Sequence, residues 1–225
     1  MSQLKRWNGS RWVDSGIGNF IKKWDGKKWI NAIVRRWDGK NWAVISQQQF
    51  TKDFNVTWTR SYGGNNKYKG DNIVGSRNRL YQGRYSDPDI QWNGDWGIQK
   101  SMAGFDDASI RRELEGATID RVQLYIENWW WWYWAGGQLW LGAHNQSNPP
   151  STFSETRYSM AWASWSQRGG GRWIEIPRIF AEDLRDGKAR GFTVHRATTD
   201  PYYYGYFYGA GHGGKSPKLR ITYTK

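Results

Sequence analysis

Residues 118–134 read TIDRVQLYIENWWWWYW. The first ten residues form a β-like run, and a run of aromatic residues at 129–134 follows almost at once. Successive side chains of an extended segment point to opposite faces, so these rings cannot all enter one core. One face of the run must therefore be exposed or covered by another molecule. A contiguous exposed aromatic surface marks a ligand or partner site.

Further β-like runs lie on both sides of this stretch, separated by glycine-rich turns. They span residues 54–60, 80–85, 137–143, 172–177, 191–196 and 218–224. Two short helices are predicted between them, one from an N-capping Asp106 to Gly116 and one from Pro177 to Leu184. This pattern predicts an all-β fold, namely a jelly-roll-like antiparallel β-sandwich with two short helices.

The first part of the chain is repetitive. The pattern basic-Trp-[Asn/Asp]-Gly-x-x-Trp begins at Arg6, Lys23 and Arg36. Asn-Gly and Asp-Gly between β-forming flanks are the strongest local signal for a hairpin with a two-residue type I′ turn. We therefore predict three β-hairpins within residues 1–46.

The register of these hairpins follows from the position of the turn. With Asn8 and Gly9 as the two loop residues, Trp7 lies opposite Ser10 and diagonal to Trp12. Diagonal neighbours are within reach of large aromatic rings. The same turn places like charges opposite each other on the second face, which is unfavourable in a sheet.

Three uses of the repeats remain open, because an isolated hairpin is only marginally stable in water. The Trp pairs either pack on each other or on further copies, or stack on sugar rings, or accompany electrostatic binding of nucleic acid or teichoic acid. Residues 1–45 hold ten Lys/Arg and three Asp, so they carry +7 of the formal net charge of +13. Specific nucleic-acid binding is not favoured, because the Asp/Asn-Gly turns already explain the spacing.

We predict that residues 1–46 form an attachment or oligomerisation segment, with a homotrimer favoured. The rings assigned to it are Trp7, Trp12, Trp24, Trp29, Trp37 and Trp42. The polar stretch at 46–49 lacks aromatic residues and marks a boundary. We therefore expect the sandwich domain to span residues 50–225.

Several segments of this second domain resemble known phage proteins. Residues 103–106, 114–119 and 122–126 read AGFD, LEGATI and VQLYI, and they resemble the module of DNRLRE-type β-sandwiches. Residues 187–193 and 216–223 are similar to C-terminal modules of tailed-bacteriophage minor tail and fibre proteins, and the N-terminal repeats are similar to segments of such virion proteins. The resemblance implies a structural or adhesive role on the virion exterior. The run at 129–134 departs from the family pattern.

Signals of catalysis are weak. The chain has no cysteine and three histidines, His144, His195 and His212, none of them in a metal-ligand pair with i, i+4 spacing. Asp87 and Asp89 form an acidic pair that suits a glycosidase or a calcium site only if further groups join it in space. No signal-type leader or apolar run long enough to span a membrane is present. We therefore expect a non-enzymatic protein without cofactor or metal.

Two aromatic clusters are the candidate ligand-binding residues. The first comprises Trp129, Trp130, Trp131, Trp132 and Trp134, placed in a hairpin beside residues 139–141, and the second comprises Tyr202, Tyr203, Tyr204 and Tyr206. The favoured function is a tail-associated or fibre-like virion protein that contributes to host attachment by stacking rings on cell-surface carbohydrate. The alternatives are a purely structural capsid or tail decoration protein and a cell-wall glycan hydrolase.

Overall fold

The computed structural model describes residues 5–7, 9–14, 22–32, 34–44, 47–64, 78–84, 97–196, 198 and 200–225. Asp87 and Asp89 lie outside these residues. The chain divides into two compact units, one of residues 1–50 with 224–225 and one of residues 51–223. Each unit is described by itself below.

The first unit contains three two-stranded antiparallel hairpins. Their strands are β1 (Lys5–Trp7), β2 (Trp12–Asp14), β3 (Lys22–Trp24), β4 (Trp29–Asn31), β5 (Arg35–Trp37) and β6 (Trp42–Val44). In each hairpin the two tryptophans are direct cross-strand partners, for example Trp24 with Trp29. The prediction of a diagonal pair, with Trp7 opposite Ser10, is therefore wrong.

The turn explains this difference in register. Asp25 N donates to Lys28 O at 3.1 Å, so the two central residues are Gly26 and Lys27 rather than Asp25 and Gly26. Gly26 has φ +100°, while Asp25 Oδ1 accepts hydrogen bonds from the backbone N–H groups of Lys27 and Lys28, both at 2.8 Å. Asp38 closes the third hairpin in the same way. Its Oδ1 accepts hydrogen bonds from the backbone N–H groups of Asn41 and Lys40, and these bonds lower the pKa of its carboxyl group.

The register also removes the expected repulsion between like charges. Lys23 lies opposite Ile30 and Arg36 opposite Ala43. In these two hairpins the basic residue before the first tryptophan is therefore paired in register with an aliphatic residue.

The second unit is an antiparallel β-sandwich with two short helices, as the sequence predicts. Its strands are β7 (Gln49–Tyr62, which begins in the first unit), β8 (Arg79–Gln82), β9 (Lys100–Phe105), β10 (Thr118–Trp131), β11 (Gly137–His144), β12 (Arg157–Trp165), β13 (Gly170–Glu175), β14 (Gly191–His195), β15 (Gly205–Tyr208) and β16 (Lys218–Thr224). Hydrogen-bonded neighbours follow the order β12-β11-β14-β9-β7-β16-β10-β15-β8, and β13 pairs with β10.

Strand β7 lies between β9 and β16 and pairs with both. Its first half runs along β16, where Arg220 makes two hydrogen bonds with Asp53 at 2.7 and 2.8 Å. Its second half pairs with β9 from Val56 to Tyr62. One strand therefore joins the two groups of strands that enclose the core.

The core is formed by apolar residues that alternate along the strands. Val122, Leu124 and Ile126 of β10 are almost completely buried, while the residues between them are partly exposed. Helices α1 (Asp107–Leu114) and α2 (Arg178–Arg185) pack on each other, and α2 packs on β10. Asp106 caps α1 by accepting a hydrogen bond from Ser109 N, as predicted. No helix among the described residues has the length and apolar character needed to cross a membrane.

The aromatic run does not form a hairpin with residues 139–141, contrary to the prediction. Strand β10 pairs with β13, β15 and β16, whereas β11 pairs with β12 and β14. The turn between β10 and β11, in which Gly136 N donates to Tyr133 O at 3.1 Å, therefore carries the chain from one group of strands to the other.

Candidate ligand-binding surface

A β-bulge divides the tryptophan run. Asn128 lies opposite Phe207, but Trp130 lies opposite Tyr206, so one extra residue is inserted in β10. A bulge changes which residues share a face of the strand. Asn128 and Trp131 consequently point inwards and are 1% and 0% exposed, while Trp129 and Trp130 both lie on the outer face.

The buried side chain of Asn128 holds the bulge in place. Its Nδ2 donates to the carbonyl oxygens of Trp130 and Tyr206, both at 3.1 Å. Its Oδ1 accepts a hydrogen bond from Gly169 N at 2.9 Å. Asn128 therefore fixes both the bulge and the glycine-rich turn of residues 166–171.

The outer face of β10 and β15 carries a layer of aromatic rings and cations. Trp129 stacks on Tyr208 with 4.7 Å between centroids and 13° between planes, while the Arg79 Cζ lies 3.6 Å from the Trp129 ring centroid. Both groups cannot occupy one face at these distances, so Trp129 is held between them. Trp130 likewise stacks on Tyr206 at 5.5 Å.

These contacts correct two of the predicted ligand residues. Trp131 lies in the core, and Trp129 has both faces covered, so neither ring offers a face to a ligand. Trp132 is half-buried, and it contacts Trp130 with 5.9 Å between centroids. Most rings of the run therefore pack against other side chains of the sandwich.

Trp134 is different, because 78% of its surface is exposed. The Arg168 Cζ lies 4.0 Å from the Trp134 ring centroid and 4.9 Å from that of Trp130. Arg168 Nη2 donates to the carbonyl oxygen of Trp132, and Arg168 N donates to Trp134 O at 3.2 Å. A fixed guanidinium thus covers one face of the Trp134 indole, and the other face points to solvent.

An open groove of about 660 Å³ lies at this end of the sandwich. It is lined by Ala135, Ser164, Trp165, Ser166, Gln167, Gly169, Gly170, Gly171, Arg172 and Tyr202. Close backbone contacts bring the lining together. A Cβ at Gly136 would lie 2.0 Å from Trp165 O, and one at Gly137 would lie 2.4 Å from Tyr202 O. Only glycine permits this approach.

The predicted tyrosine cluster is also divided. Tyr202 lines the groove, while the Tyr203 ring lies 5.3 Å from the Arg196 guanidinium. Tyr204 is 7% exposed and contacts Trp130. Tyr206 belongs to the outer aromatic layer, where burial raises the pKa of its hydroxyl.

The polar part of this site is not predicted by the sequence. Gln167 and Arg172 line the groove and Arg168 lies beside it, but only the three glycines between Arg168 and Arg172 signal a turn, and no pattern places that turn beside Trp134. A second exposed indole, Trp162 of β12 at 59%, lies opposite Trp140, whose ring centroid is 4.1 Å from the Arg196 Cζ.

The hairpins of the first unit present a second aromatic surface. The rings of Trp24 and Trp29 lie 5.8 Å apart edge to face, and those of Trp37 and Trp42 lie 5.7 Å apart. All four rings are between 51% and 65% exposed. The side chains of Trp7 and Trp12 lie outside the description.

The histidines lie away from the groove lining. Burial lowers the pKa of His144 to about 4, and its Nε2 lies 2.9 Å from Ala103 O. His195 Nδ1 lies 3.0 Å from Glu155 Oε1, and the same carboxylate accepts a hydrogen bond from Thr193. No group of three His, Asp or Glu among the described residues is arranged to hold a metal ion.

Comparison with known proteins identifies no family. No family model matches the sequence, and no curated protein matches it. Among solved structures, the chain matches the K1 cleaved adhesin domain of Lys-gingipain from Porphyromonas gingivalis W83, with 8% identity and a TM-score of 0.24. The match covers 80% of this chain and 98% of that domain. At so low a TM-score the match carries no argument about fold or function.

Proposed function

We propose that this chain is a non-catalytic binding protein whose sandwich recognises carbohydrate at the groove beside Trp134. The observation that supports this function best is the exposed indole of Trp134, whose inner face rests on the fixed guanidinium of Arg168. A large ring that is already immobilised loses little side-chain entropy when a ligand stacks on it. Trp134 therefore provides a ready stacking face.

The groove supplies the complementary polar groups. Sugar rings present apolar C–H faces and polar hydroxyl edges. Ser166 and Gln167 are exposed, and Tyr202 contributes a ring with a hydroxyl group. Binding sites typically combine aromatic surface with a few placed polar groups. The described groove has this composition.

The biological setting is also a proposal. The resemblance of the sequence to phage tail and fibre proteins supports a place on the virion exterior, with other virion proteins as partners and host attachment as the role. The exposed Trp pairs of the hairpins support association through residues 1–46, either with further copies in a homotrimer or with cell-wall carbohydrate or teichoic acid. Light scattering that finds only monomer would contradict the oligomer.

The binding function is tested by Trp134→Ala in the full chain. Loss of ring stacking is expected to weaken glycan binding about tenfold, equivalent to about 1.4 kcal/mol, as measured by calorimetry after a glycan-array screen. Trp134→Phe should restore part of the affinity, because it retains a ring.

Trp162→Ala is the matched control, because Trp162 is also a largely exposed indole, whereas Trp134 rests on Arg168 and is followed by the lining residue Ala135. Equal affinity of the wild-type and Trp134→Ala proteins would refute the proposed site. Absence of binding to any glycan, or turnover of purified cell wall, would refute the function.

A further inference from the structure

The groove has a positive electrostatic character. Among its described lining residues none is acidic, and Arg172 contributes a guanidinium. Arg168 adds a second guanidinium beside the lining, close to Trp134. A concave site lined by one sign of charge attracts ligands of the opposite sign.

Arg172 is positioned to use its donors on a ligand. Its Nη1 donates to the carbonyl oxygen of Ser164, and its Cζ lies 5.4 Å from the Trp165 ring centroid, so the head group is anchored. The residue is exposed. A guanidinium carries five N–H donors in a planar fork that matches a carboxylate. The other donors of Arg172 have no acceptor among the described residues.

Neighbouring carboxylates already have partners. Asp200 Oδ1 accepts a hydrogen bond from Tyr202 N at 2.9 Å. Glu127, the cross-strand partner of Gly171, accepts a hydrogen bond from the Tyr125 hydroxyl at 2.8 Å and lies 3.5 Å from Lys215 Nζ. Neither Asp200 nor Glu127 belongs to the lining, so no described lining residue neutralises Arg172.

We propose that the groove selects acidic saccharides, in which Arg172 pairs with the carboxylate of a uronic acid while Trp134 stacks on a sugar ring. This inference rests on the proposed carbohydrate-binding function and specifies its ligand class. A charge-assisted, bidentate pair gives geometric specificity as well as affinity.

The test compares ligands that differ only in charge. The probes are tetramers of galacturonic, glucuronic and mannuronic acid, each as the free acid and as its methyl ester. The wild-type protein is expected to bind at least one free acid about tenfold more tightly than its ester, with a preference that declines as salt is added. Arg172→Gln should abolish this preference by weakening the binding of the free acid far more than that of the ester, while Arg172→Lys should retain part of it.

Arg178→Gln is the matched control, because Arg178 is exposed at the start of α2 and its loss changes the net charge equally. If Arg178→Gln reduces the preference as much as Arg172→Gln does, bulk charge explains it and the inference fails. Equal binding of all acids and esters, with Trp134→Ala still weakening both, would refute the acidic ligand but keep the carbohydrate function. Absence of binding to every probe and to every neutral glycan would refute both.

Discussion

Asn128 determines how a run of four tryptophans is distributed between core and surface. Its three hydrogen bonds link the bulge in β10, the neighbouring strand β15 and the turn that contains Gly169. A buried amide that satisfies several backbone groups is costly to remove, because those groups are left without partners. One polar side chain therefore supports both the aromatic layer and the groove.

Asn128→Ala is expected to destabilise the sandwich by about 2–4 kcal/mol, because it leaves buried backbone groups unpaired and opens a cavity. Urea unfolding followed by tryptophan fluorescence measures the loss. Gln123→Ala on the same strand is the control, since Gln123 is half-buried and its amide donates to the exposed carboxylate of Glu175. A loss no greater than that of the control would contradict this role of Asn128.

His144 makes stability depend on pH. Its pKa falls from an ordinary 6.5 to about 4 because burial disfavours the imidazolium, although the hydrogen bond to Ala103 opposes the shift. The unfolded chain therefore binds the proton more readily than the folded one. The resulting stability is fully present above pH 6.5 and is lost as the pH falls towards 4, by roughly 3 kcal/mol in total.

The change His144→Gln removes this titration. We expect the pH dependence of the free energy of unfolding, measured in urea between pH 6.5 and 4, to be shallower in the variant than in the wild-type protein. Other groups that titrate in this range are common to both proteins and cancel in the difference. Identical slopes would show that His144 does not contribute.

At the scale of the hairpin, the position of the turn decides which residues meet. The Asp-Gly dipeptide predicts a turn, and the turn is confirmed, but the aspartate caps it through its side chain and glycine is the first central residue. Moving the turn by one residue converts a diagonal Trp pair into a direct one. Composition cannot distinguish these registers, because both use the same residues.

We expect Trp29→Ala to disrupt the second hairpin, because its direct partner Trp24 then loses an edge-to-face contact worth about 0.5–1.5 kcal/mol. Far-ultraviolet circular dichroism detects coupled indoles, so the difference spectrum between the wild type and the variant should show an exciton couplet. Trp134→Ala, which removes an exposed indole that packs on the Arg168 guanidinium, should produce a weaker difference. A featureless difference spectrum for Trp29→Ala would contradict the pairing.

Some strands of the sandwich are predictable from their own residues and others are not. The run at 118–127 predicts a strand that is confirmed within β10, and the Asp106 cap and the Gly116 stop predict α1, which is confirmed as well. Strands β9, β12 and β15 were not predicted, because glycine, serine and tyrosine interrupt their apolar pattern. Hydrogen bonding to adjacent strands determines these strands more than the β-propensity of their own residues does.

At the scale of the whole molecule, fold class was predictable and the site was not. Alternating apolar runs and glycine-rich turns are local features, so they identify an all-β sandwich. The groove joins three turns that are distant in sequence, near Trp134, Gly169 and Tyr202. Its assembly depends on the bulge at Asn128 and on strand order, neither of which is visible in composition.

The position of strand β7 between β16 and β9 has a mechanical consequence. A force applied at the start of β7 along the strand axis loads the ladders to β16 and β9 in shear. Many bonds must then rupture together, whereas peeling a terminal strand breaks them one at a time. The force needed to rupture the sandwich from this point would therefore be higher than its equilibrium free energy of unfolding alone indicates.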